Sequence, residues 1–74
     1  MKFGQVLEKA AEGTGTTFAR SGWNGKGQYV FLVQLTPDVE QCFVLHNAQG
    51  KLQPGWLPSM GDLLATDWTE YIPF

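Results

Sequence analysis

The sequence predicts an α+β fold: a small single domain over residues 1–74, with a mainly antiparallel sheet of four to five short strands and two short helices. Three observations carry this. An amphipathic helical pattern opens the chain, short β-branched and aromatic runs bounded by Gly, Pro, Asn or Asp follow, and a capped apolar stretch stands near the end. Phe3, Leu7, Ala10 and Ala11 recur at three- and four-residue spacing with Lys2, Gln5, Glu8, Lys9 and Glu12 between them, predicting a helix from about Lys2 to Glu12. Gly13 and Gly15 end it. Thr16 to Arg20 predicts a brief strand leading into a Gly-rich loop, and Gln28 to Gln34 a second strand leaving it. The nearly continuous apolar run of that second strand belongs at the centre of a sheet.

Pro37 and Asp38 mark a turn, Gln41 to His46 a third strand, and Asn47 to Gly50 another turn. Lys51 to Gln53 predicts a short strand, after which Pro54 and Pro58 enforce an extended path. Ser59 reads as an N-cap with Asp62 three residues on, an approximate capping box. Leu63, Leu64 and Trp68 give the helix that follows one apolar side, with Trp68 assigned to the core, and Thr69 to Ile72 closes the sheet.

Seventy-four residues lie near the lower limit for a fold held by one core. Small domains lean on disulfides, a metal or association between copies. The single cysteine, Cys42, and single histidine, His46, exclude an intrachain disulfide and support neither a metal site nor a cofactor. They read as a core thiol and a strand-end histidine. Association remains. With seven acids against five bases, the chain has no basic stripe for a nucleic acid polymer. It also has no apolar run near the eighteen or so residues that span a membrane, and its start lacks the pattern of a secretory signal, so a reducing cytoplasm is expected. Ten aromatic residues exceed the needs of so small a core. Some should serve an interface or a ligand.

No nucleophile, base and orienting group stand in a recognisable pattern, so no catalytic residue is assigned and an enzyme is not expected. Glu8, Glu12, Asp38, Glu40, Asp67 and Glu70 read as solvated carboxylates at ends and turns. The loop Gly22 to Gly27 fits neither GxGxxG nor GxxxxGK[ST] and joins two strands, which rejects the familiar phosphate-binding folds. It does offer close backbone approach at its glycines, Gly25 among them, a stacking face in Trp23, a paired donor and acceptor in Asn24, and positive charge in Lys26 and Arg20. The plain alternative is a hairpin with a type I′ turn at Asn24-Gly25 and Trp23 as a packed plug. A second group, Trp56, Ser59 and Asp62, gathers at the predicted start of the second helix, where free N–H groups favour anionic oxygens; its plain alternative is a hydrophobic approach to a capped helix.

On these residues the chain resembles the second Thoeris anti-defence family of phage proteins. The resemblance rests on Phe3 to Leu7, on Ala19 to Gly27 followed by an apolar strand, and on Trp56-Leu57-Pro58-Ser59 with Asp62 to Ala65 and Asp67-Trp68. It implies a homo-oligomer, dimer or tetramer, that sequesters a cyclic nucleotide immune signal in the cytoplasm of the infected bacterial host and does not cleave it. Cyclic ADP-ribose isomers are the ligands implied first, and cyclic oligonucleotides at separate sites are compatible with it. Carried onto this sequence, the resemblance puts Trp23, Asn24 and Gly25 at the pocket, with Trp56, Ser59 and Asp62 from the same or a neighbouring subunit and Arg20 and Lys26 as further contacts. The alternative is a protein-interaction module that inhibits a host defence component through Trp23 and Trp56. A small hydrolase for nucleotide signals is a third reading.

Overall fold

The computed structural model describes residues 1–13, 15–23 and 27–72. Helix α1 (Phe3–Glu12) starts where the Gln5 side-chain oxygen accepts the Lys2 N–H at 2.8 Å, and it leaves helical geometry at Gly13. Phe3, Val6 and Ala10 are its buried residues, three positions of one narrow stripe. Leu7, expected on that stripe, is 48% exposed. Val6 takes its place because Leu7 lies at the edge of the stripe that Phe3 and Ala10 define.

Five strands follow: β1 (Thr17–Arg20), β2 (Tyr29–Val33), β3 (Cys42–His46), β4 (Leu52–Pro54) and β5 (Trp68–Glu70), with helix α2 (Met60–Leu64) before the last. The order across the sheet is β4-β3-β2-β1-β5 and every neighbouring pair is antiparallel. The apolar run of β2 thus lies at the centre, as its composition predicts. Pro54 is accommodated because β4 is an edge strand, where a missing N–H breaks no ladder.

Register assigns the residues to two faces. Phe18, Val30, Leu32, Phe43, Leu45 and Trp68 share the face that packs on Phe3, Val6 and Ala10 of α1, and together they form the core. Phe18, Val30, Val6 and Trp68 are fully buried. Thr17, Ala19, Tyr29, Phe31, Val33, Cys42, Val44 and His46 share the opposite face. Among the described residues no helix covers that face.

Two expectations near the end of the chain are corrected. Helix α2 stops at Leu64, so Trp68 is not on its apolar side but opens β5, one residue earlier than the strand expected at Thr69. Trp68 remains core. The helix side turned inward is polar: Asp62 is the buried residue of α2, while Leu63 and Leu64 are 43% and 74% exposed. A five-residue helix has too few turns to form an apolar stripe, and hydrogen bonding to Asp62 fixes its rotation instead.

Trp68→Ala removes the largest buried side chain and is expected to cost about 3–5 kcal/mol, enough to leave a domain of this size mostly unfolded in water. Leu64→Ala should change stability by less than about 0.5 kcal/mol. Urea unfolding of the two variants checks the contrast, and equal losses would refute the burial assignment.

Candidate functional site

Arg20 closes β1 opposite Trp68, which puts its side chain on the helix-covered face between two carboxylates. Its Nη1 donates to Asp62 Oδ1 at 2.8 Å and its Nε to Asp67 Oδ1 at 2.9 Å. Asp62 is the hub. Oδ1 also accepts the Trp23 indole N–H at 3.2 Å, Oδ2 accepts the Ser59 N–H at 3.0 Å, the Asp62 N–H donates to Ser59 Oγ at 3.1 Å, and the Asp62 carbonyl accepts the Trp68 indole N–H at 2.9 Å. The expected capping box is therefore present and carries two indoles and a guanidinium besides.

Around this hub three tryptophans meet edge to face. Ring centroids are 5.2 Å apart for Trp23 and Trp68, 6.2 Å for Trp23 and Trp56, and 6.3 Å for Trp56 and Trp68, with interplanar angles of 73° to 80°. Trp56 arrives there because Gly55, at φ +79°, turns the chain off β4 so that the N–H groups of Gly55 and Trp56 both reach the Phe43 carbonyl. Beside Trp56 opens an apolar groove of about 380 Å³, with Phe3, Leu7, Phe43, Leu57 and Pro58 among its walls. That volume lies at the lower end of small-ligand pockets.

The loop between β1 and β2 is tied down on both sides. Asp67 Oδ2 accepts the Gly22 N–H at 2.7 Å and the Ser21 hydroxyl at 3.3 Å, and the Asp67 carbonyl accepts the Ser21 N–H at 3.3 Å. On the far side His46 Nδ1 lies 3.0 Å from the Gly27 carbonyl. A carbonyl can only accept, so Nδ1 carries the proton.

Arg20, Trp23, Trp56, Ser59 and Asp62, separated in sequence, are thus brought together, whereas Asn24, Gly25 and Lys26 lie outside the described residues, as does the turn expected at Asn24-Gly25. Family comparison matches residues 1–71 to the Thoeris anti-defense 2-like domain. The chain belongs to the Thoeris anti-defense 2-like family. It is also similar to Thoeris anti-defense 2 of Bacillus phage SP01, with 31% identity over 84 aligned residues that cover 92% of this chain and 91% of the relative. Family membership makes it an anti-Thoeris protein of the phage anti-defence class.

Within this anti-Thoeris domain the pattern of charge limits what the hub can do. Arg20 carries one positive charge against two negative ones, and its own pKa is raised by the Asp67 hydrogen bond first and the Asp62 bond second. Burial works to raise the pKa of Asp62, yet the bonds from Arg20, Ser59 and Trp23 outweigh it and hold the carboxyl below its ordinary value. The Arg20 hydrogen bond likewise lowers Asp67. Both acids are ionised at neutral pH, and the Ser59 and Asp62 amides are engaged by the cap. The hub is suited to fixing the Trp23 ring and poorly suited to receiving a phosphate.

Two residues of this arrangement escape a reading of the sequence. Asp67 was expected as a solvated carboxylate, and the structure corrects this to an ion pair with Arg20. The physical reason is the β1–β5 pairing, which brings the residue before Trp68 beside the end of β1. His46 ends a strand as expected, but its bond to Gly27 depends on β2–β3 register that composition does not encode.

Because folded-state pKa values of Asp62 and Asp67 are lowered, the stability they contribute is complete above the unfolded value of about 3.9 and is lost as pH falls through the folded values. The melting temperature of the wild type should therefore drop more steeply below about pH 4 than that of Asp62→Asn, which starts less stable. Parallel curves in thermal unfolding from neutral to acid pH would refute the linkage.

Proposed function

We propose that this chain binds and sequesters a cyclic nucleotide immune signal, a cyclic ADP-ribose isomer first, without cleaving it. The observation that carries the proposal is the convergence of Trp23 and Trp56, remote in sequence, at the foot of the Gly-rich loop and beside an apolar groove. Both rings are half-buried, so each keeps surface for a planar base. Family membership supplies the anti-Thoeris context in which such a ligand is an alarm to be removed.

The roles divide by what each group has left to offer. Trp23 and Trp56 supply stacking, while Asn24, Gly25 and Lys26 supply the polar and cationic contacts for ribose and phosphates. Arg20, Ser59 and Asp62 border the pocket and fix its walls. The Asp62 and Asp67 carboxylates are engaged by Arg20, Trp23, Ser59 and Gly22 and serve to hold these walls. No helix among the described residues is long and apolar enough to cross a membrane, in keeping with action inside the infected cell.

A homo-oligomer completes the reading. The sheet face without helices carries Tyr29, Phe31 and Val33 on its central strand beside Cys42, partly exposed side chains suited to a second copy. Phe31→Glu should convert the assembly to monomers in sedimentation velocity; an unchanged mass would place the interface elsewhere.

The central test incubates the protein with cyclic ADP-ribose isomers, removes free ligand, denatures the protein and assays what is released. Intact ligand is expected from the wild type. Trp23→Leu keeps apolar bulk against Trp56 and Trp68 but removes the stacking face, and should release almost none. Absence of every cyclic nucleotide tested from the wild-type fraction would overturn the proposal, and so would conversion of ligand beyond one equivalent per subunit.

A further inference from the structure

Both feet of the loop between β1 and β2 are held by side chains that neither pack in the core nor border the proposed pocket, and this calls for a role. At the first foot, Asp67 takes the Gly22 N–H, the Ser21 hydroxyl and Arg20 Nε on one carboxylate, while its carbonyl takes the Ser21 N–H. The fit is close: a Cβ on Gly22 would stand 2.8 Å from Asp67 Oδ2, inside any real contact. At the second foot, His46 donates from Nδ1 to the Gly27 carbonyl, and its ring is stacked on Tyr29 with centroids 4.5 Å apart and planes within 9°. Tyr29 stacks in turn on Tyr71 at 5.3 Å. Gly27 has φ +78°, a conformation in which its carbonyl direction is set by the backbone and not by a side chain.

We propose that Asp67 and His46 are positioning residues that hold Ser21, Gly22 and Gly27, the two ends of the segment between β1 and β2, and so preset Trp23 for ligand capture. This rests on the sequestration reading above and goes beyond it by assigning ligand affinity to residues that do not touch the ligand. A side chain held in its binding geometry before the ligand arrives loses less conformational freedom on binding, and the difference appears directly as affinity. Asp67 acts on the residue before Trp23. His46 acts from the next strand but one and from the opposite face of the sheet.

The test compares full-length variants by ligand titration with the cyclic ADP-ribose isomer that the wild type retains, alongside amide hydrogen exchange without ligand. Asp67→Asn should weaken binding roughly tenfold, equal to about 1.4 kcal/mol, and speed exchange at Ser21 and Gly22. Gly22→Ala should weaken binding similarly, and adding it to Asp67→Asn should bring less than about a twofold further loss, because both act through one contact. His46→Ala should weaken binding, and His46→Asn, which returns a donor near the Nδ1 position, should restore it. Val6→Ala, a core truncation in α1 away from both feet, lowers stability and should leave affinity unchanged; a loss there as large as in the clamp variants would reduce them to general destabilisation and overturn the proposal. Wild-type affinity in Asp67→Asn and His46→Ala overturns it alone, whereas failure of the wild type to retain any isomer overturns the sequestration reading and this inference with it.

Discussion

The carboxylate of Asp62 is the constraint on which this small fold turns. It joins α2 to β1 through Arg20, to the loop through Trp23 and to its own cap through Ser59, and the adjoining carbonyl fixes Trp68 at the head of β5. A buried ion pair alone contributes little, since desolvation offsets the attraction. Here Asp62 also takes the Trp23 and Trp68 indole N–H groups, which would otherwise be left unpaired beside the core. The gain lies in packing Trp68 and Trp23 against the core with both indole N–H groups paired.

That arrangement explains why a five-residue helix persists at all. Isolated helices of this length are unstable in water, and the exposure of Leu63 and Leu64 shows that α2 gains little from apolar packing. The capping box and the bonds converging on Asp62 hold it instead. Its position then dictates where the chain from Ala65 to Asp67 must run, which brings Asp67 to the foot of the β1–β2 loop. A single polar hub thus sets both the wall of the pocket, through Trp23 and Trp56, and the attachment of the loop above it.

The sequence makes the elements legible and the hub only partly so. Period-two and helical patterns locate six of the seven elements within a residue or two, and the Ser59–Asp62 spacing announces the cap that starts the seventh, α2, because these are local signals. Choosing Leu7 over Val6 for the buried side of α1 fails because both are apolar and adjacent, and only the packed sheet decides between them. Placing Trp68 on α2 fails because Leu64 and Trp68 stand four residues apart, a helical spacing, while the chain leaves the helix at Ala65 and reaches Trp68 as a strand. Asp67 and His46 are invisible for a different reason. Their partners, Gly22 and Gly27, are backbone groups brought near by strand pairing, and no residue type marks a backbone acceptor or donor in advance.

The two faces of the sheet complete the argument from opposite directions. One is covered by helices and ends in the tryptophan cluster; the other bears Phe31, Val33 and the Tyr71–Tyr29–His46 stack with no helix over it. Both helices lie on one face among the described residues, and in the proposed assembly a second copy would meet the other. His46 lies on that open face while holding Gly27 at the loop, so any copy that packs over Tyr29 also bears on the ring that anchors the loop. In the proposed assembly, contacts over Tyr29 and the hold of His46 on Gly27 would involve neighbouring rings of one stack.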